Sequence, residues 1–152
     1  MKVIAYSFAV LVIIVIVLLI GLSVASRKQP ELGLVEGQLR PCPATPNCVC
    51  SEYPGKDSYI EPLAYAGSVD AAWTSIRRVV AQTGGEVIVA KDNYLHAVYQ
   101  TPLLRFVDDV EFRLDAEQAV IHVRSASRVG RSDLGANRKR VEKIRERFVK
   151  SR

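Results

Sequence analysis

The spacing of apolar positions outlines a mixed fold. From Ser68 onward, Val69, Ala72, Trp73, Ile76, Val79, Val80 and Thr83 recur at three- and four-residue intervals, with Asp70, Ser75, Arg77, Arg78 and Gln82 between them. Such a stripe predicts an amphipathic helix, capped by Ser68 and stopped by Gly84-Gly85. Glu86–Lys91 and Tyr94–Thr101 are rich in β-branched and aromatic residues and flank Asp92-Asn93, a pair suited to a tight hairpin turn. Arg105–Leu114 and Gln118–Arg128 predict a second hairpin. A last helix, from about Asn137 to Val149, has only Val141, Ile144 and Phe148 as its apolar stripe and is expected to pack by one edge. With the core beginning near Ile60, the order β-α-β-β-β-β-α predicts an α+β fold, an antiparallel sheet of about four to five strands with two helices packed on one face.

Alternation along Arg105–Leu114 assigns Phe106, Asp108, Val110, Phe112 and Leu114 to one face and Val107, Asp109, Glu111 and Arg113 to the other. A turn centred on Ala116-Glu117 sets Leu114 opposite Ala119, Phe112 opposite Ile121, Val110 opposite Val123 and Asp108 opposite Ser125. The outer face then pairs Asp109 with Arg124 and Glu111 with His122, contacts worth about 0.2–1 kcal/mol each.

The N-terminus adds a different element. Val3 to Ala25 are 23 residues without a charge, long enough as a helix to cross a hydrocarbon core of about 30 Å. A cleaved signal peptide is the alternative, with Ser23-Val24-Ala25 as its small-residue site, but its apolar region would typically run only about 7–15 residues. The expected organisation is a transmembrane anchor at residues 1–26, a linker at 27–40 and a single domain at 41–150. Charge does not orient the anchor, because the α-amine and Lys2 on one side balance Arg27 and Lys28 on the other.

Cysteine usage does bear on orientation. Cys42 and Cys48 end a proline-stiffened loop that is able to close as a disulfide in an oxidising compartment, which favours an extracytoplasmic domain. Cys50 is a third thiol, either free or an alternative partner for one of the other two. A zinc site is the competing reading, but it would need His96 or His122 as a fourth ligand and lacks paired two-residue spacing. Neither a metal nor a cofactor is expected.

Positive charge collects at the C-terminal end, where Val129–Arg152 has net charge +6 against −2 for Arg27–Arg128. Such a tail suits anionic headgroups, an acidic partner or simply a solvated helix face. Nucleic acid is not expected on the far side of a membrane.

Candidate chemistry centres on Asp108 and the loop after the second hairpin. A carboxylate on an apolar face needs partners, and Ser125, Ser127, Arg128 and Arg138 are within reach on this register. The result is either a structural Asp-Arg-Ser network or a polar cavity with Asp108 as ligand acceptor or general base. Glycines 130 and 135, with Arg124, Arg128, Arg131, Ser127 and Ser132 ahead of a helix, are ingredients of an anion site, although Asp133 stands among them and is able to cap the helix. His96 and His122 are lone imidazoles within strands and are expected to be structural.

Four separated motifs carry a family resemblance. They are Pro41-Cys42-Pro43-Ala44-Thr45-Pro46-Asn47-Cys48-Val49; Asp92-Asn93-Tyr94-Leu95-His96-Ala97; Phe106-Val107-Asp108-Asp109-Val110-Glu111-Phe112; and Arg124-Ser125-Ala126-Ser127-Arg128-Val129-Gly130 with Ser132-Asp133-Leu134-Gly135 and Asn137-Arg138. Over roughly residues 39–148 the chain resembles the domain of unknown function 1499 family. That resemblance implies a small bacterial domain behind an export signal or membrane anchor and supplies no activity or cofactor. The chain departs from the family's pattern at Cys50, where a small residue such as serine is expected.

The expected protein is thus a single-pass component of the bacterial inner membrane, anchored by residues 3–25. Its extracytoplasmic domain is expected to bind an anionic small molecule, lipid headgroup or envelope partner through Asp108, Arg124, Ser127, Arg128, Arg131, Ser132 and Arg138. A hydrolase or transferase using Asp108 or His96 as general base, and a structural envelope component, are the alternatives.

Overall fold

The computed structural model describes residues 2–151. Helix α1 (Lys2–Ala25) has no charge after Lys2 and has the length and composition shared by membrane spans and signal sequences. Its apolar side chains up to Val24 are exposed apart from half-buried Leu19, so the domain leaves them largely uncovered. Beyond its last turn the chain is tied to the domain. Ser26 is fully buried, and its hydroxyl donates to Ser23 O at 2.7 Å and accepts the amide of Val107 at 3.1 Å.

The segment expected as a linker carries structure. Strands β1 (Leu34–Val35) and β2 (Gln38–Leu39) form a hairpin across Glu36-Gly37, with φ of 52° and 79°. Positive φ at both central residues is the requirement of a tight primed turn, which glycine meets without strain. Leu39 is completely buried. The short length of these strands hides them from a periodicity reading.

The main sheet has six strands: β3 (Cys48–Cys50), β4 (Leu63–Ala64), β5 (Glu86–Lys91), β6 (Tyr94–Gln100), β7 (Val107–Asp115) and β8 (Val120–Ser127). Their order is β3-β8-β7-β6-β5, with β4 pairing farther along β8. All the strand pairs are antiparallel, and an isolated bridge between Cys50 and Tyr59 is parallel. The sheet is thus wider than the expected four to five strands, because β3 starts at Cys48, where the cysteine loop ends.

Helix α2 (Val69–Gln82) follows the apolar stripe, with Ser68 accepting the Ala71 amide at 3.2 Å. Ser75 departs from its polar grouping. It is buried and shares a hydrogen bond with Ser151, just beyond α3 (Ala136–Lys150). Ala72, Trp73, Ile76, Val79 and Val80 of α2 and Val141, Ile144 and Phe148 of α3 share one core with Leu95, Ala97, Val110, Phe112, Ile121 and Val123 of the sheet. Gly85 sits where a Cβ would come within 2.6 Å of the Tyr99 ring, so only glycine allows that approach.

The β7–β8 register is two residues away from the expected one. Leu114 pairs with Ile121, Phe112 with Val123, Val110 with Ser125 and Asp108 with Ser127. The cause is the turn, which spans Ala116–Ala119, with Ala119 at φ 51° and the Gln118 amide held by Asp115 at 3.0 Å. A two-residue slip preserves which face each side chain occupies but changes every partner.

Candidate functional site

The face of the sheet opposite the helices is polar, yet it is buried. Strand β2 lies against β7 and β8, and the segments around Ser26, Gly33 and Glu52 close over them. Beneath is a layer of paired charges. Asp109 receives Arg128 Nη2 at 2.7 Å, Arg128 Nε at 2.8 Å and His96 Nε2 at 2.8 Å. Glu111, completely buried, accepts from Arg124 at 2.9 Å, Tyr94 at 2.8 Å and the Gly33 amide at 3.0 Å. Glu52 takes Arg113 and the Leu39 amide. The expected outer pairs Asp109–Arg124 and Glu111–His122 are therefore replaced by Asp109–Arg128 and Glu111–Arg124.

Burial of this kind shifts protonation. It works to raise the Asp109 carboxyl, but the hydrogen bonds from His96 and Arg128, with the Arg128 charge, hold it below the ordinary carboxylate value. Burial, aided by the charge and hydrogen bond of Glu111, pushes the Tyr94 phenol up. Burial also lowers the His122 imidazole, against the raising effect of Glu52. Ser51 fits a neutral ring there. Its hydroxyl accepts the Val123 amide at 2.9 Å and lies 3.1 Å from His122 Nδ1, so its proton is free to go to that nitrogen.

On the helix side Asp108 is 4% exposed, and its cationic partner is Arg140 of α3, in place of the expected Arg128 or Arg138. Arg140 also donates to Ser125 at 3.0 Å and lies over the Tyr99 ring at 5.1 Å. Asn137, fully buried, accepts from Ser125 at 2.6 Å and donates to Asn47 O at 2.9 Å, Ser127 at 3.0 Å and Asp133 at 2.8 Å. Asn47 in turn donates to Gly130 O at 2.7 Å. The loop is stapled by the protein itself. The amides at the start of α3 are also taken, since Asp133 accepts from Gly135 N at 3.0 Å and Asn137 N at 2.7 Å, and its carboxyl is held low by those bonds against the effect of burial.

These contacts divide the expected site residues. Arg124 and Arg128 lie in the covered charge layer, and Asp108 and Ser127 lie in the Asn137–Arg140 network. Arg131 is exposed and lines no cavity described here. Ser132 and Arg138 alone of the set line a groove of about 690 Å³ between the disulfide loop, the turn around Lys56 and the start of α3. Pro41, Pro43, Pro46 and Tyr53 give it apolar walls, Lys56 and Arg138 supply cations, and Asp57 and Asp133 add carboxylates, that of Asp133 being taken by the Gly135 and Asn137 amides. Arg138 spends one nitrogen on the carbonyls of Asp57, at 3.2 Å, and Tyr59, at 2.9 Å. Neither Lys56 nor Arg138 has an ion pair among the described residues.

The cysteines resolve into a Cys42–Cys48 disulfide, which forms the rim of this groove, and a free, buried Cys50. Burial pushes the Cys50 thiol up to about 11. Among the described residues no cluster of three His, Cys, Asp or Glu side chains is arranged to hold a metal ion. Asn137, Arg140, Asn47 and Glu52 escaped the sequence reading. A signal existed for two of them: Asn137 and Arg140 continue the Val141–Ile144–Phe148 stripe backward at helical spacing.

Fold and contacts together define a small α+β domain behind an apolar N-terminal helix, with a disulfide-rimmed groove and a covered layer of charge. The chain belongs to the family described as "Protein of unknown function (DUF1499)", which it matches over residues 38–148. A comparison with curated proteins finds no match.

Proposed function

We propose that the protein is a membrane-anchored binding module whose domain stands outside the cytoplasm, and that its groove takes a ligand joining an apolar body to an anionic group. The observation that carries this reading is the groove's lining, in which proline and tyrosine walls meet Lys56 and Arg138, two cations without an ion pair among the described residues, beside the carboxylates of Asp57 and Asp133. The apolar α1 and the Cys42–Cys48 disulfide support an anchored domain in an oxidising compartment. A binding role also fits the state of the two candidate bases: Asp108 is paired with Arg140, and His96 is 1% exposed against Asp109.

The test uses the full chain in neutral-lipid nanodiscs, with amide spectra followed during titration by phenyl phosphate, which combines an aromatic ring with a phosphate dianion. Saturable shifts at Tyr53, Lys56 and Ser132, weaker with inorganic phosphate or phenol alone, are expected. Absence of a saturable shift at these residues, or shifts confined to other surfaces, overturns the proposal.

A further inference from the structure

The β6–β7 loop, residues 101–106, is a second exposed apolar feature. It reads Thr-Pro-Leu-Leu-Arg-Phe, and Leu103 at its tip is 89% exposed. The loop is tied at its base. Thr101 donates its amide to Phe106 O at 3.0 Å, and its carbonyl and hydroxyl accept the Arg105 and Phe106 amides, each at 3.0 Å. Arg105 is held at φ 52°, a backbone conformation unfavourable for a side chain of its size. Immediately after it, Val107 bonds Ser26, so the loop emerges beside the point where α1 leaves the domain. A cleft of about 290 Å³ lies there, lined by Arg27, Gln100, Arg105 and Val107. Neither arginine takes part in an ion pair among the described residues.

We propose that this loop is a membrane-docking element, with Leu103 inserted among acyl chains and Arg27 and Arg105 holding the phosphate of an anionic lipid between them. The proposal rests on the reading of α1 as a membrane span, and the occupant follows from continuity with that span. A bilayer around α1 meets the domain at the helix's C-terminal end, where an apolar tip flanked by guanidinium groups matches the interface between acyl chains and headgroups. Docking at this point fixes the domain's tilt against the membrane.

The experiment uses the full chain in vesicles, with a fluorophore on Leu103→Cys and, separately, on Ile13→Cys. Both positions are exposed, so neither label disturbs packing, while Cys50 is buried and Cys42 and Cys48 are paired. In vesicles containing phosphatidylglycerol, the Leu103 label is expected to be quenched by a doxyl group near the headgroup end of the acyl chain and shielded from aqueous iodide. Each of Arg27→Gln and Arg105→Gln is expected to lower the docked fraction's equilibrium constant about fivefold, and pure phosphatidylcholine to do at least as much. A Leu103 label open to iodide while the Ile13 label is quenched deep in the bilayer overturns docking and leaves the anchor standing. An Ile13 label outside the bilayer overturns both. If inorganic phosphate with neutral vesicles reproduces the effect of the anionic lipid, the cleft is a free phosphate site and the lipid reading fails.

Discussion

Arg128 grips the carboxylate of Asp109 with two nitrogens, at 2.7 and 2.8 Å, while its third reaches the carbonyls of Ser26 and Arg27 at 3.3 and 3.2 Å. A single side chain on the rim of the sheet thus joins a buried anion to the exit of the N-terminal helix. With side-chain exposures of 7% and 2%, the pair is shielded from solvent, so removing Arg128 leaves Asp109 a buried charge held by His96 alone.

Arg128→Gln is expected to destabilise the domain by about 3–5 kcal/mol. It is also expected to speed amide exchange at Val107, whose acceptor is the Ser26 hydroxyl. Denaturant midpoints together with hydrogen exchange on the full chain check both effects. A loss below about 1 kcal/mol, the range of exposed pairs, would show the pair to be solvated.

Asn137 should behave as a structural keystone of the Ser125–Ser127–Asp133 loop. Asn137→Ala takes one hydrogen bond each from the Asn47 carbonyl, which keeps the Ser127 amide, and the Ser125 hydroxyl, which keeps Arg140, at an expected cost of about 1–3 kcal/mol. The urea midpoint measures that cost, and amide shifts should spread to Gly130 through Asn47. An unchanged midpoint contradicts the role assigned to it.

Stability should fall on acidification in two stages. The folded His122 value is depressed, mainly by burial, so between the folded value and the unfolded one near 6.5 the unfolded chain binds more protons, and stability declines as pH drops below about 7. Asp109, Asp115 and Asp133 are also depressed in the fold. Their contribution is complete above the unfolded carboxylate value of about 4 and is lost as pH falls through the folded values. Urea midpoints across pH should therefore show a shallow upper decline that shrinks in His122→Gln and a steeper one below about pH 4 that remains. An upper decline of equal size in His122→Gln assigns it to another group.

The disulfide and the free thiol should respond differently to reagents. In the folded oxidised protein a maleimide is expected to label none of the cysteines, since Cys42 and Cys48 are paired and Cys50 is buried with its thiol raised to about 11. Reduction should open Cys42 and Cys48 alone. Replacing both by serine is expected to cost about 2 kcal/mol from the short loop they close. Labelling of Cys50 without denaturant contradicts its burial.

Much of this fold was readable where periodicity was long. The apolar stripe from Ala72 to Val80 and the Asp92-Asn93 turn correspond to observed elements, because repeated spacing averages over local exceptions. Short pieces were not readable: β1, β2 and β3 have two or three residues each, too few to show a period. The polar side of β7 resembled a solvent face for a related reason. Asp109, Glu111 and Arg113 alternate as surface residues do, and only the chain folding back around Leu39 and Glu52 turns them inward. Helical spacing puts Arg140 on the buried stripe of α3, but its pairing with Asp108 in place of Arg128 depends on how α3 crosses the sheet.

The division of the arginines into buried partners and groove cations is tested most directly by measuring phenyl phosphate affinity and thermal midpoint on the same full-chain samples of Lys56→Gln, Arg138→Gln and Arg124→Gln. Lys56→Gln and Arg138→Gln are each expected to weaken binding about tenfold or more, as for a hydrogen bond to a charged group of roughly 1.5 kcal/mol, with Lys56→Gln leaving the midpoint unchanged. Arg124→Gln is expected to lower the midpoint by several degrees while the folded protein binds as before. The contrary result, affinity lost in Arg124→Gln and unchanged in both groove variants, would place binding in the covered charge layer and contradict the groove as the site.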